Sequence, residues 1–196
     1  MISGQYLLDS RSMSMGTAHQ KSYLQSVPRA PSMMRTPSIA DARAVHALIA
    51  ECPPLDTNSL YCNLLQSLHF AATCIVAENA RRIVAFVSGY RLPDQPHVLF
   101  IWQIAVATEA RGQGMAGRML MELLSRPHCA GVTEIQTTVT PSNKASWGLF
   151  TGIARRLHAP LTRRMLFERA VHLDGRHESE VLATIGPFVL QTDVCS

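Results

Sequence analysis

Arg111-Gly112-Gln113-Gly114-Met115-Ala116 stands where an apolar run gives way to helical spacing. The run extends from Val98 to Ala107 and is broken only by Gln103. After the polar turn Thr108-Glu109-Ala110-Arg111, the residues Met115, Met119, Leu120, Leu123 and Leu124 recur at helix spacing. A run this apolar reads as a strand buried on both faces. A glycine-rich turn that opens a helix offers backbone N–H groups with no intrahelical partner, and the helix dipole favours negative charge there. The chemistry on offer is the holding of a phosphate. The plain alternative is a tight strand-to-helix turn that holds nothing.

Taken literally, Gly112 to Gly117 matches the dinucleotide fingerprint G-x-G-x-x-G. That fingerprint should follow its strand directly, and here Thr108 to Arg111 intervene. Its ribose-binding acid should end the next strand, about 20 residues on. Glu134 has the spacing but stands at the start of the strand Glu134 to Thr140. No Gly-Lys-Ser/Thr closes the turn, so it is not a P-loop. Read instead as R-x-x-G-x-A after Ile104-Ala105-Val106, the stretch resembles the acyl-CoA motif of the GNAT acetyltransferases. The resemblance implies that Arg111, Gly112, Gln113, Gly114, Met115 and Ala116 hold the pyrophosphate of acetyl-CoA. The backbone of Ile104, Ala105 and Val106 would pair with the pantetheine arm.

Asn143-Lys-Ala-Ser146-Trp147-Gly-Leu149-Phe150 is a second anchor, similar to the family's N-x-x-A-x-x-L-Y. The resemblance implies that Asn143 contacts pantetheine and puts Trp147 and Phe150 among the cofactor-binding residues. Phe150 occupies the position of the tyrosine that protonates the departing thiolate. The proton then comes from water or another residue, or the thiolate leaves unassisted, which a thiol pKa near 8.5 makes tolerable.

Four segments resemble, more closely, the L-2,4-diaminobutyrate acetyltransferases of ectoine biosynthesis, the osmoprotectant route. They are Pro54 to Cys62, Phe100 to Val106, Asn143 to Trp147 and His177 to Glu180, within a likeness that runs from about Arg35 to Pro187. The implied reaction is acetyl transfer from acetyl-CoA to the 4-amino group of L-2,4-diaminobutyrate, direct and in a ternary complex. Asp56, Asn58, Tyr61, Trp102, His177 and Glu180 would line the diamine pocket, with Tyr61, His177 and Glu180 as catalytic candidates. A cytoplasmic homodimer is implied as well.

The residue types suit that task. An amine with a pKa of about 10.4 is nucleophilic in only about one molecule per thousand at neutral pH, so its deprotonation costs roughly 4 kcal/mol. Carboxylates can bind the ammonium groups, a tryptophan face adds cation–π attraction of about 1 kcal/mol, and His177 is the better pH match for a relay. The oxyanion would form beside strand N–H groups near Ile104 and Ala105. Each residue has a plainer role: Asp56 as a helix N-cap, Trp102 and Tyr61 as core, and His177 and Glu180 as solvated surface. A GNAT enzyme for another amine (a polyamine, an aminoglycoside, a protein N-terminus) stays open, as does an acyl-CoA-binding sensor without turnover.

The elements around these residues number one domain's worth. The 196 residues are 47% apolar with a net charge of +4, and no apolar run reaches the length that spans a membrane. No basic stripe suits nucleic acid. Five scattered cysteines, Cys52, Cys62, Cys74, Cys129 and Cys195, form no C-x-x-C, which argues for a reducing cytoplasm and against a zinc site. One could carry an acyl group, although buried packing is the commoner role. Residues 1–34, rich in Ser, Met and Pro, read as a disordered tail without a secretory signal. From 35 to 190 the order is α-α-β-β-β-α-β-α-β-β, allowing a weak first strand near Met33 to Thr36. A capping box at Ser38 and Asp41 opens the first helix, and Leu60, Leu64, Leu65 and Leu68 mark one side of the second, which begins at Asp56 or Thr57. Gly89 marks a bulge or a close backbone approach. The implied fold is α/β (α+β): a GNAT fold whose mixed central sheet has about six to seven strands, flanked by about four helices.

Overall fold

The computed structural model describes residues 32–190. The expected disordered tail falls, up to residue 31, outside them. Within them the weak first strand allowed near Met33 to Thr36 is present: β1 (Met33–Arg35) pairs with the second strand, so the sheet starts two residues ahead of the expected domain boundary at 35. Three residues are too short to show a period, so the boundary between tail and strand is not marked at Met33 and Met34. Arg35 anchors this edge by donating to both oxygens of Asp41, each at 2.8 Å, and to Glu78 at 2.8 Å.

Ser38 and Asp41 form the expected capping box, with the Ser38 N–H 2.7 Å from the Asp41 carboxylate. A 3-10 turn there leads into α1 (Ala42–Ala50), which buries Val45, Leu48 and Ile49. Then follow α2 (Leu60–Leu68), β2 (Ile75–Asn79), β3 (Arg82–Leu92), β4 (Gln95–Val106), α3 (Met115–Leu124), β5 (Glu134–Val139), α4 (Lys144–Arg156), β6 (Leu161–Phe167), the short α5 (Arg169–His172) and β7 (Glu180–Ile185). The described residues thus hold seven strands and five α-helices, one helix more than the four expected.

The strands lie in the order β1-β2-β3-β4-β5-β7-β6. All neighbours are antiparallel except β4 and β5. Ile83 to Gly89 of β3 are all buried, so both faces of the sheet are covered there. The core runs from Val45 and Ile49 through Phe86, Leu99 and Ile101 to Met119, Leu120, Leu123, Ile135 and Ile153.

Two irregularities in β4 matter for function. The parallel pairing with β5 covers only Val98–Ile101 against Glu134–Thr137. Beyond Ile101 the strands part, and the β4 backbone on that side lacks a β5 partner. On its other side β4 pairs with β3, but the register slips: Ser88 faces Gln103 while Gly89 faces Ile101. Trp102 is the extra residue of this bulge, a device that re-aims a side chain. It is 48% exposed between two buried neighbours, Ile101 and Gln103.

Candidate functional site

A cleft enclosing about 390 Å³ opens where β4 has parted from β5. Ile104 and Val106 form one wall, and Arg111, Gly112, Gly114, Met115 and Ala116 line its mouth. Gly112 and Gly114 take φ of +73° and +67°, and Gly114 is the N-cap of α3. A β-carbon on Gly112 would touch nothing within 4 Å. Backbone conformation, not space, therefore demands glycine here. The first intrahelical bond runs from the Arg118 N–H to Gly114, so the N–H groups just before it are free for an anion. Arg111 donates Nε to the Val106 carbonyl at 2.9 Å, tying the turn to the strand end.

The remaining cofactor candidates sit differently. Ala105 is fully buried in the core, so only its backbone is available. Gln113 donates to the Glu109 carbonyl and does not line the cleft. Asn143 caps α4, its Oδ1 accepting from the Ser146 N–H at 3.0 Å. Trp147 donates Nε1 to the Thr140 carbonyl and carries the Arg163 guanidinium 4.0 Å above its ring. Phe150 is 3% exposed, in the core. Instead Ala145, Ser146 and Leu149 present α4 to the cleft, and Cys52, Pro53, Pro54 and Leu55 close it from the loop before α2. Helix spacing puts Ser146 and Leu149 on one face. The Cys52–Leu55 contribution comes from chain folding and has no local signal.

Asp56 is not an N-cap. Ser59 caps α2, with its hydroxyl accepting from the Cys62 N–H at 3.1 Å. The helix begins later than expected and leaves Asp56 exposed in the loop. Two bonds hold that loop to β4: Asn58 Nδ2 donates to Gln103 Oε1 at 3.0 Å, and Gln103 Nε2 donates to the Asp56 carbonyl at 2.8 Å.

From the other end of the chain, Glu180 opens β7 beside Thr138. Thr138 and Trp102 each directly follow the last paired residues of the parallel strands, Thr137 and Ile101, so both stand at the fork. Burial pushes the Glu180 carboxyl up; a hydrogen bond with Thr138 opposes this, the charges of Asp56 and Glu178 add to it, and His177 opposes it. Glu180 is thus within electrostatic reach of both Asp56 and His177, although more than a hundred residues separate it from Asp56. The Ser142 hydroxyl donates to Glu178 at 2.6 Å and pins the loop that carries His177. Trp102 meets Tyr90 edge-on at 6.3 Å. Tyr61 is not core: it is 69% exposed in the first turn of α2, five residues after Asp56.

Three of the thiols are poor acyl carriers. Burial pushes Cys74 to about 12 and raises Cys62 and Cys129, which suppresses the nucleophilic thiolate.

The family model for GNAT acetyltransferases matches residues 42–158. The chain belongs to the GNAT acetyltransferase family. Within 144 residues this GNAT chain is 51% identical to the L-2,4-diaminobutyric acid acetyltransferase of Methylotuvimicrobium alcaliphilum, covering 74% of itself and 84% of that protein. It is 45% identical over 164 residues to the enzyme of the same name from Halomonas elongata, covering 83% and 84%. Its fold matches the diaminobutyrate acetyltransferase of Paenibacillus lautus, solved with its substrate L-2,4-diaminobutyric acid and coenzyme A, at a TM-score of 0.78 and 41% identity over 82% of this chain and 98% of that one. The GNAT resemblance and the closer one, both drawn from motifs, are borne out.

The cleft of this GNAT chain suits coenzyme A on its own geometry. Free helix N-terminal N–H groups answer the pyrophosphate, and the unpaired edge of β4 answers the amides of pantetheine.

Proposed function

We propose that the chain transfers acetyl from acetyl-CoA to the 4-amino group of L-2,4-diaminobutyrate, giving N4-acetyl-L-2,4-diaminobutyrate by direct transfer in a ternary complex. The observation that carries this reading is the fork itself: exposed Trp102 stands there, next to a cleft fit for coenzyme A, with Glu180 opening the neighbouring strand and Asp56 within its electrostatic reach. A pocket with two carboxylates and an indole selects a small molecule that bears two ammonium groups.

Acetyl-CoA supplies the thioester carbon that the amine attacks. The chain supplies the rest. Asp56 and Glu180 bind the ammonium groups, and Trp102 packs on the cation. Glu180, raised by burial, is a stronger base than an ordinary glutamate and accepts the proton, with His177 as the route outward. The β4 backbone near Ile104 and Ala105 offers donors to the oxyanion. Phe150 supplies no proton, and the thiolate leaves to water.

The assembly we infer is a homodimer acting in the cytoplasm, in ectoine formation and osmoprotection. What supports the dimer is α2, whose faces are inverted. Asn63, Gln66 and Ser67 are buried, while Leu60, Tyr61 and Leu68 are 38%, 69% and 52% exposed. No described helix is long and apolar enough to cross a membrane.

Release of free thiol from acetyl-CoA tests the function. It should require L-2,4-diaminobutyrate, and NMR of the product should show acetylation at the 4-amino group. Release with spermidine but not diaminobutyrate overturns the substrate. No release with any amine, despite coenzyme A binding, overturns the enzyme.

A further inference from the structure

We infer that Gln103 is a positioning residue for the amine pocket: its side-chain amide clamps residues 56–58 to β4 and so sets where Asp56 stands relative to Glu180. The inference rests on the placing of Asp56 in that pocket proposed above.

Gln103 is the one polar residue in the apolar run from Val98 to Ala107, and it is only 9% exposed. A buried amide is costly unless its polar atoms are matched. Here both ends are used, and both go to the same short loop: Oε1 accepts from Asn58 Nδ2 at 3.0 Å, and Nε2 donates to the Asp56 carbonyl at 2.8 Å. The two bonds straddle Thr57 and fix the loop's register against the strand. An apolar side chain of equal size would fill the space and leave the register free.

Residues 56–59 are irregular, lying between α1 and the N-cap of α2. Among the described residues, the Asp56 carboxylate makes no hydrogen bond or ion pair of its own. Its position is therefore inherited from its backbone, and the backbone is held by Gln103. On the other side, Glu180 is fixed by β7 and Thr138. The clamp is thus the adjustable half of the carboxylate pair. The bulge explains its place: Trp102 turns outward to the fork, and the next residue turns inward to the loop. One irregularity aims the aromatic wall of the pocket and anchors its acidic wall.

Steady-state kinetics of the full chain with Gln103→Met, Gln103→Glu, Asn58→Ala and the Asn58→Ala/Gln103→Met double variant test this. Gln103→Met should raise KM for diaminobutyrate about tenfold and leave KM for acetyl-CoA within about twofold. Gln103→Glu keeps the acceptor for Asn58 and loses the donor to Asp56, so it should show the same split and serves if the methionine variant fails to fold. The double variant should be no worse than Gln103→Met alone, because both changes open one clamp. Amide hydrogen exchange over 55–59 should speed up in the Gln103 variants with α1 unchanged. An unchanged KM for the amine, an equal rise in both KM values, additive effects or unaltered exchange would each overturn the clamp. A wild-type chain inactive on diaminobutyrate would sink the substrate instead, and the exchange measurement would still decide the clamp.

Discussion

A β-carbon on Gly89 would stand 2.8 Å from the carbonyl oxygen of Phe100. Gly89 faces Ile101 just where the β3–β4 register slips, so this close approach and the bulge at Trp102 are one feature. Gly89→Ala must push the two backbones apart, which overpacking data put at about 1–3 kcal/mol. Urea denaturation should show that loss. It should come with a larger fall in kcat/KM for the amine than for acetyl-CoA, because Trp102 loses its aim before the cleft is disturbed. Unchanged stability would mean that β4 yields freely at this point.

Trp102→Ala isolates the indole from the bulge. With the ring 48% exposed, its removal leaves little cavity and deletes mainly its cation–π contact. KM for diaminobutyrate should rise about fivefold, as loss of about 1 kcal/mol requires, with KM for acetyl-CoA unchanged. The opposite split would put Trp102 on the cofactor side.

Sequence patterns carried the elements whose signals are local. The turn from Arg111 to Ala116 and its helix were readable because glycine at positive φ and apolar spacing leave direct marks, and the capping box at Ser38 likewise. Gly89 was readable as a bulge or close approach, and it is both. The side of α2 was not: leucine spacing marks an apolar face, but only the fold decides whether that face meets the chain's own core. Here the inward face is polar, with His46 and Gln66 hydrogen-bonded to Asn63. The start of the same helix was misplaced because Asp56 and Ser59 are equally good caps on paper. In the cofactor set, Ile104, Val106 and the turn apart from Gln113 line the cleft, whereas Asn143, Trp147 and Phe150 spend their side chains on a cap, a strand end and the core. The proposed acid pair rests on likeness to relatives, since nothing local joins Asp56 to Glu180.

Glu180 gives the amine reaction an acid limb. Its carboxyl is raised by burial, so it protonates above the usual glutamate value and loses its capacity to bind and deprotonate an ammonium there. The profile of kcat/KM for diaminobutyrate should fall below a pH higher than 4.5. Glu180→Gln should abolish that limb and lower the plateau by about a hundredfold or more, as for a lost general base. A limb that survives in Glu180→Gln belongs to another group.

Arg35 and Asp41 make the opposite titration a matter of stability. The Arg35 guanidinium, followed by the Ser38 bonds, holds the Asp41 carboxyl at about 2 against burial, below an ordinary value of 3.8. A depressed folded pKa adds stability that is complete above the unfolded value and is lost as pH falls through the folded one. Asp41→Asn should therefore cost about 2 kcal/mol at pH 7, with the deficit shrinking between about pH 4 and pH 2 as the wild type loses the same contribution. Thermal melts across that range would check it. A constant deficit would assign the loss to packing.

The inverted helix predicts where the chain associates. Leu68 is 52% exposed on α2 and shares its outer side with Leu60 and Tyr61. Because the buried face of α2 is the one with Asn63, Gln66 and Ser67, a charge at Leu68 leaves the fold of the single chain intact. Placed in an apolar interface, the same charge is unpaired and costly. Sedimentation should find the wild type at twice the 21.6 kDa chain mass and Leu68→Glu at the chain mass, with an unchanged circular dichroism spectrum. A wild type at the chain mass would refute the dimer. A Leu68→Glu dimer would move the interface off α2, and the outward leucines would then need another partner.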